Sequence, residues 1–327
     1  MKIAYTGDLV LQDSELFDSE YVFSCFSNAL EARECRELVI NLESPITEGL
    51  NKVKDKICLN AVSDTVKHLK YLSPTLINLS NNHINDFGNK GVEQTIERIS
   101  EIGFDSFGVG GIHDCKHVSI HNTHVNIAYT HHSADLSSPF LNATGKLLGP
   151  KPIDLEEIKK LKEDYSDKAI IVSVHWGIED ISIPCPEVVE LARKIIDAGA
   201  DIILGHHPHI IQPIEVYKGK YIFYSLGNFY FPDIKVKTDR SEFLKKTSKH
   251  QKVGLVVIIS LDAILDVDLL MVSLSENKIK IEEVTASQFK FRPWKVKVFP
   301  FVYFADSKIK LYKYYLKRIK EKVVSLC

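Results

Sequence analysis

Short apolar runs recur along this chain, and most stop on glycine or on a polar side chain. Residues 2–6 read as a first strand that ends at Gly7-Asp8. Leu38–Leu42, Thr75–Leu79, Ala169–Val174, Ile202–Leu204 and Tyr221–Tyr224 have the same form. Each is too short for a helix and is bounded by turn residues, which predicts buried strands. Phe104–Val109 and two runs within Val118–Thr130 add further strands. Between them the spacing turns helical, with one apolar face over residues 15–37, Gly91–Ile102 and Pro186–Ala198. Ser63 or Asp64 caps another helix carrying Val66, Leu69 and Leu72, and Leu155–Leu161 is a charged helix. Lys52–Lys56 reads as an exposed, hairpin-like stretch, and residues 133–152 as a loop. The alternation predicts an α/β fold, in which ligands bind outside the carboxyl ends of the strands.

The pattern changes after Phe231-Pro232. Residues 233–251 are polar and basic, residues 253–304 look like strands, and residues 307–326 form a basic helix. Its stripe of Ile309, Tyr312, Leu316, Ile319 and Val323 suits packing onto the body or a dimer contact. The expected organisation is one domain over 1–232, with strands and a terminal helix from 233–327 packed on it.

The residues at the end of each strand carry the chemistry. Six apolar runs end in Asp8, Glu43, Asn82-His83, His175, His207/His209 and Asn228. Taken singly, each is an ordinary turn, cap or rim residue. Six together at one sheet edge point to a ligand site. Most pointed is Gly205-His206-His207-Pro208-His209, with three imidazoles in four residues. Carboxylate, amide oxygen and imidazole without thiolate suit manganese, iron or zinc. The set is large enough for two ions sharing a bridging carboxylate. Such a pair, roughly 3.5–4 Å apart, holds a phosphoryl group and activates water for in-line attack. His83 is then the general acid, or neutralises charge on phosphate oxygens.

In order along the chain, Gly7-Asp8, Asn41-Leu42-Glu43-Ser44-Pro45, Asn81-Asn82-His83-x-x-Asp86-x-Gly88, His175-Trp176-Gly177, Gly205–His209 and Ser225–Phe229 resemble the bacterial CapA-type family. That family is associated with capsule and poly-γ-glutamate synthesis and is similar to calcineurin-like metallophosphoesterases. The resemblance implies a four-layer αββα sandwich. It implies Asp8, Glu43, Asn82, His175, His207 and His209 as metal ligands, with His206 able to stand in for His207. It also implies His83 and Asp86 as the catalytic pair, and Glu43 stands where the wider superfamily has a bridging aspartate. The histidine expected two residues after Asp8 is replaced by Val10, which leaves one ion or two open. Asn81, Trp176, Asn228 and His131 are the candidate substrate contacts, although Trp176 suits a pocket wall better.

The remaining features narrow the picture. A net charge of −2 gives no reason to expect nucleic acid as a partner. The six cysteines form no Cys-x-x-Cys pair and fit reduced thiols. Neither a secretory signal nor a bilayer-spanning run is visible, so a cytoplasmic protein is expected. His113, His117, His121 and His124 read as solvated strand surface, and His131-His132 as the rim of the site. Lys54 and Lys56 read as solvated loop charges. The leading expectation is a metal-dependent phosphoesterase acting on an anionic small molecule or polymer. Its rivals are a non-hydrolytic accessory protein that binds the polymer or a synthetase partner, and a metal-dependent amide hydrolase.

Overall fold

The computed structural model describes residues 1–12, 19–54, 56–61, 66–111, 116–135, 143, 146–237, 242–261, 265–275 and 278–297. The strands are β1 (Lys2–Leu9), β2 (Cys35–Leu42), β3 (Leu76–Asn78), β4 (Asp105–Phe107), β5 (Val109–Gly110), β6 (Val118–Ile120), β7 (His124–Thr130), β8 (Gly149–Pro150) and β9 (Ala169–His175). They continue with β10 (Ile202–His206), β11 (Ile214–Tyr217), β12 (Lys220–Phe223), β13 (Asn228–Tyr230), β14 (Ile234–Lys237), β15 (Glu242–Lys245), β16 (Val253–Leu261), β17 (Leu265–Ser275) and β18 (Lys278–Val284).

Two sheets make the body. The first has the order β18-β17-β16-β1-β2-β3-β4, with β13 also paired to β1. The second has the order β11-β12-β10-β9-β7-β6. Strands β1 to β4 run parallel, as do β7, β9, β10 and β12. Parallel strands buried on both faces need apolar residues at successive positions, which is what the short greasy runs supply. In β1, Ile3 and Tyr5 face the second sheet, where they join Ile171, Leu204 and Phe223. Ala4, between them, faces outward onto Phe23, Phe26 and Leu30 of the helix Ser19–Glu31. The second sheet turns Val172, Val174 and Ile203 outward onto Val188, Ala192 and Ile195 of the helix Pro186–Asp197. Each such large aliphatic side chain contributes roughly 1.5–3 kcal/mol when fully buried. The result is helix, sheet, sheet, helix: the four-layer αββα sandwich expected from the motifs.

Several expectations shift. The helix over 15–37 is Ser19–Glu31, and β2 begins earlier than Leu38, at Cys35. Its polar start, Cys35-Arg36-Glu37, hid the strand, which pairs there with the edge of β1. The polar stretch 233–251 contains the β14–β15 hairpin. Beyond it, β16 pairs antiparallel with β1, so the C-terminal strands extend the first sheet itself. The expected basic helix at 307–326, the cap at Ser63 or Asp64 of the helix carrying Val66, Leu69 and Leu72, and His113 lie outside the described residues. Among the described residues, no helix is long and apolar enough to cross a membrane.

Candidate metal centre

The carboxyl ends of β1, β2, β3, β9 and β10 bring the predicted ligands together. Close approach of the backbone makes this geometry accessible. A side-chain carbon on Gly7 would lie 2.1 Å from the Gly227 carbonyl oxygen. With none there, the Asp8 amide donates to that same oxygen at 2.9 Å. Likewise a side-chain carbon on Gly205 would meet the Tyr224 carbonyl oxygen at 2.1 Å. After β10 the chain turns sharply, with His207 at φ 95° and His209 at φ 59°. Both lie in the left-handed region, at a cost on the order of 1–3 kcal/mol each. The turn thereby aims two imidazoles from one short loop at the same edge.

Asp8 and Glu43 are the buried anions at its centre, both 0% exposed. Asp8 Oδ1 accepts from Asn41 Nδ2 at 2.8 Å and lies 3.0 Å from His206 Nδ1. Its Oδ2 accepts from the His207 backbone N–H at 3.1 Å and lies 3.3 Å from His209 Nδ1. Burial alone would raise the Asp8 pKa, but the hydrogen bonds and charges of His206 and His209 hold it well below the ordinary value. Glu43 is different. Its Oε1 lies 3.7 Å from His175 Nε2 and 3.6 Å from His209 Nε2. Neither carboxylate oxygen has a hydrogen-bond partner among the described residues. Burial, with Asp8 adding repulsion, pushes Glu43 up to about 8 despite the pull of His209.

The imidazoles divide in the same way. Burial would depress His209, yet Glu43 and Asp8 overcome it and raise it to about 10. Burial, with His209 adding repulsion, lowers His207 to about 3, and burial above all takes His175 well below its usual value. His207 Nδ1 and His175 Nε2 stand 3.2 Å apart, and the latter is 2.9 Å from Asn82 Oδ1. His209 Nδ1 lies 3.0 Å from Asn228 Oδ1, whose amide donates to the Gln251 carbonyl at 2.8 Å.

Two ligand groups emerge, each with its atoms within 4.8 Å of one another: Asp8, Glu43 and His209, and Glu43, His175 and His207. Glu43 belongs to both. The chemistry fits a cation. Two oxygens of a buried carboxylate have no hydrogen-bond partner among the described residues, and His207 Nδ1 and His175 Nε2 face each other.

Other predicted residues take different places. His83 Nδ1 is held by Asp86 Oδ2 at 2.8 Å, and Asp86 Oδ1 pairs with Lys56 Nζ at 2.8 Å. Asp86 also accepts from the Leu59 N–H at 2.7 Å. His206 braces Asp8 and belongs to neither ligand group. Asn81 is fully buried and spends its amide on the Leu42 carbonyl and the His83 N–H, so it shapes the turn beneath the site instead of lining it. Trp176 is also fully buried, with its Nε1–H on the Tyr224 carbonyl, and is core rather than substrate contact. His131 sits beside the centre, its backbone N–H on the His175 carbonyl and its Nδ1 2.8 Å from Ser133 Oγ.

Three residues are not evident from the sequence. Lys56, expected to be solvated, has a side chain only 4% exposed in its ion pair. Asn41 stands out only as part of a motif, yet it holds Asp8. Glu179, four residues past His175 in the same strand-end loop, is held at about 2: burial would raise it, but His209, Lys245 and His207 pull it down. Its position in that loop was the available signal. Two of the outlying histidines, His117 and His124, are not solvated either. His117 Nε2 pairs with Glu157 Oε1 at 2.7 Å, and His124 is fully buried.

The chain matches, over residues 2–233, the family described as bacterial capsule synthesis protein PGA_cap. It belongs to that family. The PGA biosynthesis protein CapA of Bacillus subtilis is 35% identical over 228 residues, which are 68% of this chain and 60% of that protein. A probable polyglutamine synthesis accessory protein of Mycobacterium tuberculosis is 29% identical, over 58% of this chain and 54% of its own. The chain thus spans about half to three-fifths of these CapA and accessory-protein relatives. Among solved structures, the Thermus thermophilus sulfate thiohydrolase SoxB superposes with a TM-score of 0.43 at 12% identity, covering 89% of this chain and 46% of that one. The matched span of the PGA_cap family contains every candidate ligand of the centre. It also contains Val10, which is buried against Leu59, Phe231 and Ile234 where the resemblance calls for histidine.

Proposed function

We propose that this PGA_cap family chain is a metal-dependent hydrolase, a phosphoesterase serving the synthesis of a bacterial surface polymer such as poly-γ-glutamate or capsule. One observation supports it most: Glu43, buried with both oxygens unpartnered, stands between two groups of ligands that share it. An unpaired buried carboxylate is costly, and in this setting a bound divalent cation removes the cost. Asp8, Glu43 and His209 would hold one ion; Glu43, His175, His207 and Asn82 would hold a second. When bound, manganese, iron or zinc supplies Lewis acidity toward a phosphoryl group and makes water a better nucleophile near neutral pH.

The chain's own residues do the rest. Asp86, anchored by Lys56 and by the Leu59 N–H, fixes the His83 ring through Nδ1. That leaves His83 Nε2 to carry a proton to the leaving oxygen. Asn41 and His206 hold the Asp8 carboxylate in register.

The test is metal analysis of the purified protein together with hydrolysis of a generic aryl phosphate. Near-stoichiometric metal and turnover are expected, both lost in Asp8→Ala and His209→Ala. Retained turnover in both variants overturns the assignment. The second reading is an accessory protein that does not hydrolyse. It is favoured by Val10 in the apolar cluster, which leaves the Asp8 group with three ligands, and by the accessory role named for the mycobacterial relative. A metal-free protein that co-purifies with a ligase-like synthetase decides for it.

A further inference from the structure

A second set of metal-ligating side chains lies at the other end of the sandwich. Glu37 is on β2, paired with Ile3 of β1 near the start of both strands. His124 opens β7, and His121 lies in the turn just before it. Thr130, at the far end of β7, pairs with His175 of the candidate centre. Six strand steps separate His124 from Thr130, about 20 Å at the usual rise. The two clusters are therefore distinct.

One ligand atom from each of Glu37, His121 and His124 lies within 4.8 Å of the others. The two imidazoles stack with centroids 4.4 Å apart and ring planes 6° from parallel. His124 is 0% exposed, and its Nε2 has no hydrogen-bond partner among the described residues. Its Nδ1 is 3.3 Å from Thr123 Oγ1. His121 Nε2 lies 3.0 Å from Ser119 Oγ, the kind of outer contact that orients a ligating histidine. Beside them the Tyr5 hydroxyl donates to Asn126 Oδ1 at 2.7 Å across the two sheets, and Asn126 Nδ2 is also buried without a partner. The sheet interface, apolar across its middle, thus ends here in polar groups unmet among the described residues.

We propose that Glu37, His121 and His124 form a second, non-catalytic site for a zinc-class divalent cation, which clamps the two sheets together at the end remote from the hydrolytic centre. Two imidazoles and one carboxylate are a zinc-like set, with water in the remaining position. A tetrahedral shell needs its ligand atoms about 3.4 Å apart and the ion in the plane of each ring, so the set must close and the His121 ring must turn out of its stack on His124. Glu37 and His121, both only partly buried, supply that movement. The Lys168 ammonium, 2.5 Å from the His121 carbonyl oxygen, places a positive charge nearby. It makes this site weaker than one built around two buried carboxylates, and Lys168→Met should tighten it.

The experiment titrates zinc into the chelator-treated chain carrying Asp8→Ala, Glu43→Ala and His209→Ala, which takes ligands from both groups of the centre, so that failure of the hydrolase reading leaves it intact. One zinc equivalent is expected to bind. The thermal midpoint should rise by roughly 5 °C at a hundredfold excess over Kd. Adding Glu37→Gln or His121→Gln should abolish both effects, while in the wild-type background neither change alters aryl phosphate turnover. His121→Gln, at a half-exposed turn, keeps the test decisive if His124→Gln does not fold. Zinc uptake unchanged by Glu37→Gln and His121→Gln, or no uptake in the starting variant, overturns the proposal.

Discussion

Glu43 and Glu157 are the same residue in the same molecule, and their surroundings drive them in opposite directions. Glu157 lies in the first turn of the helix Leu155–Asp164, where the N-terminus favours a negative charge. Its carboxylate meets His117 Nε2 at 2.7 Å, Lys151 Nζ at 2.8 Å and the Tyr129 hydroxyl at 2.7 Å. Burial would raise it, but those hydrogen bonds hold it at about 2. Glu43 is more deeply buried, has no hydrogen-bond donor on either oxygen among the described residues, and is pushed up to about 8. A carboxylate with its donors supplied is a structural strut. One kept without them, beside three histidines, is arranged for something the chain itself does not provide. The contrast separates fold from function more sharply than burial does, since both sites are polar clusters against a core.

The most forceful way to break this comparison is Glu43→Gln. The shared ligand disappears, so both ions should be lost and aryl phosphate hydrolysis should fall about a thousandfold or more, a barrier change of roughly 4 kcal/mol. Metal analysis and steady-state kinetics read this. The stability of the metal-free protein should move the other way. Because the folded pKa of Glu43 lies above its ordinary 4.5, the metal-free fold holds the extra proton and loses stability as pH rises from about 4.5 through about 8. Glu43→Gln should flatten that decline in chelator-treated protein. A variant that keeps its metal, or a decline of the same slope, counts against the role assigned to Glu43.

Asp86 stands between the two cases and sharpens them. It is as buried as Glu43, yet it is paired with Lys56 and accepts from the Leu59 N–H while it holds His83. Asp86→Asn keeps the shape and weakens control of the His83 ring. Turnover should drop about a hundredfold, with metal content unchanged, as for loss of a general acid. The pH–rate profile should lose its basic limb, a change that mere loosening of the loop does not produce. Metal loss in step with activity would move Asp86 from proton transfer to ligand support.

The layered fold was legible because its strands are short apolar runs closed by glycine, and the centre because its ligands sit directly after those runs. That Asp8, Glu43, His175, His207 and His209 converge was readable from their shared place after the runs, taken together. Partnership was not. Nothing in Lys52–Lys56 distinguishes Lys56, whose burial depends on Asp86 some thirty residues away. Nothing around Asn81 shows that its amide is consumed by the Leu42 carbonyl. His117 and His121 share a strand-like stretch, but one meets a helix and the other stacks on His124 at the start of β7. Periodicity reports which face a side chain occupies, whereas hydrogen-bond supply depends on what a distant segment places opposite it.

The smallest expected effect comes from the satisfied member of the pair. Glu157→Gln should leave metal content and turnover unchanged and lower stability by about 1–2 kcal/mol, the scale of a partly exposed, charge-assisted network. The pH dependence identifies the cause. The folded pKa of about 2 lies below the ordinary 4.5, so the stabilisation from Glu157 is complete above pH 4.5 and is lost as pH falls through about 2. Denaturant midpoints of the wild type and Glu157→Gln should therefore differ by a constant amount above that window and converge below it. This is opposite in sign to the trend expected for Glu43 in the metal-free protein. If the gap persists unchanged into acid, the cost comes from side-chain packing, and the hydrogen bonds from His117, Lys151 and Tyr129 are not what separates the two glutamates.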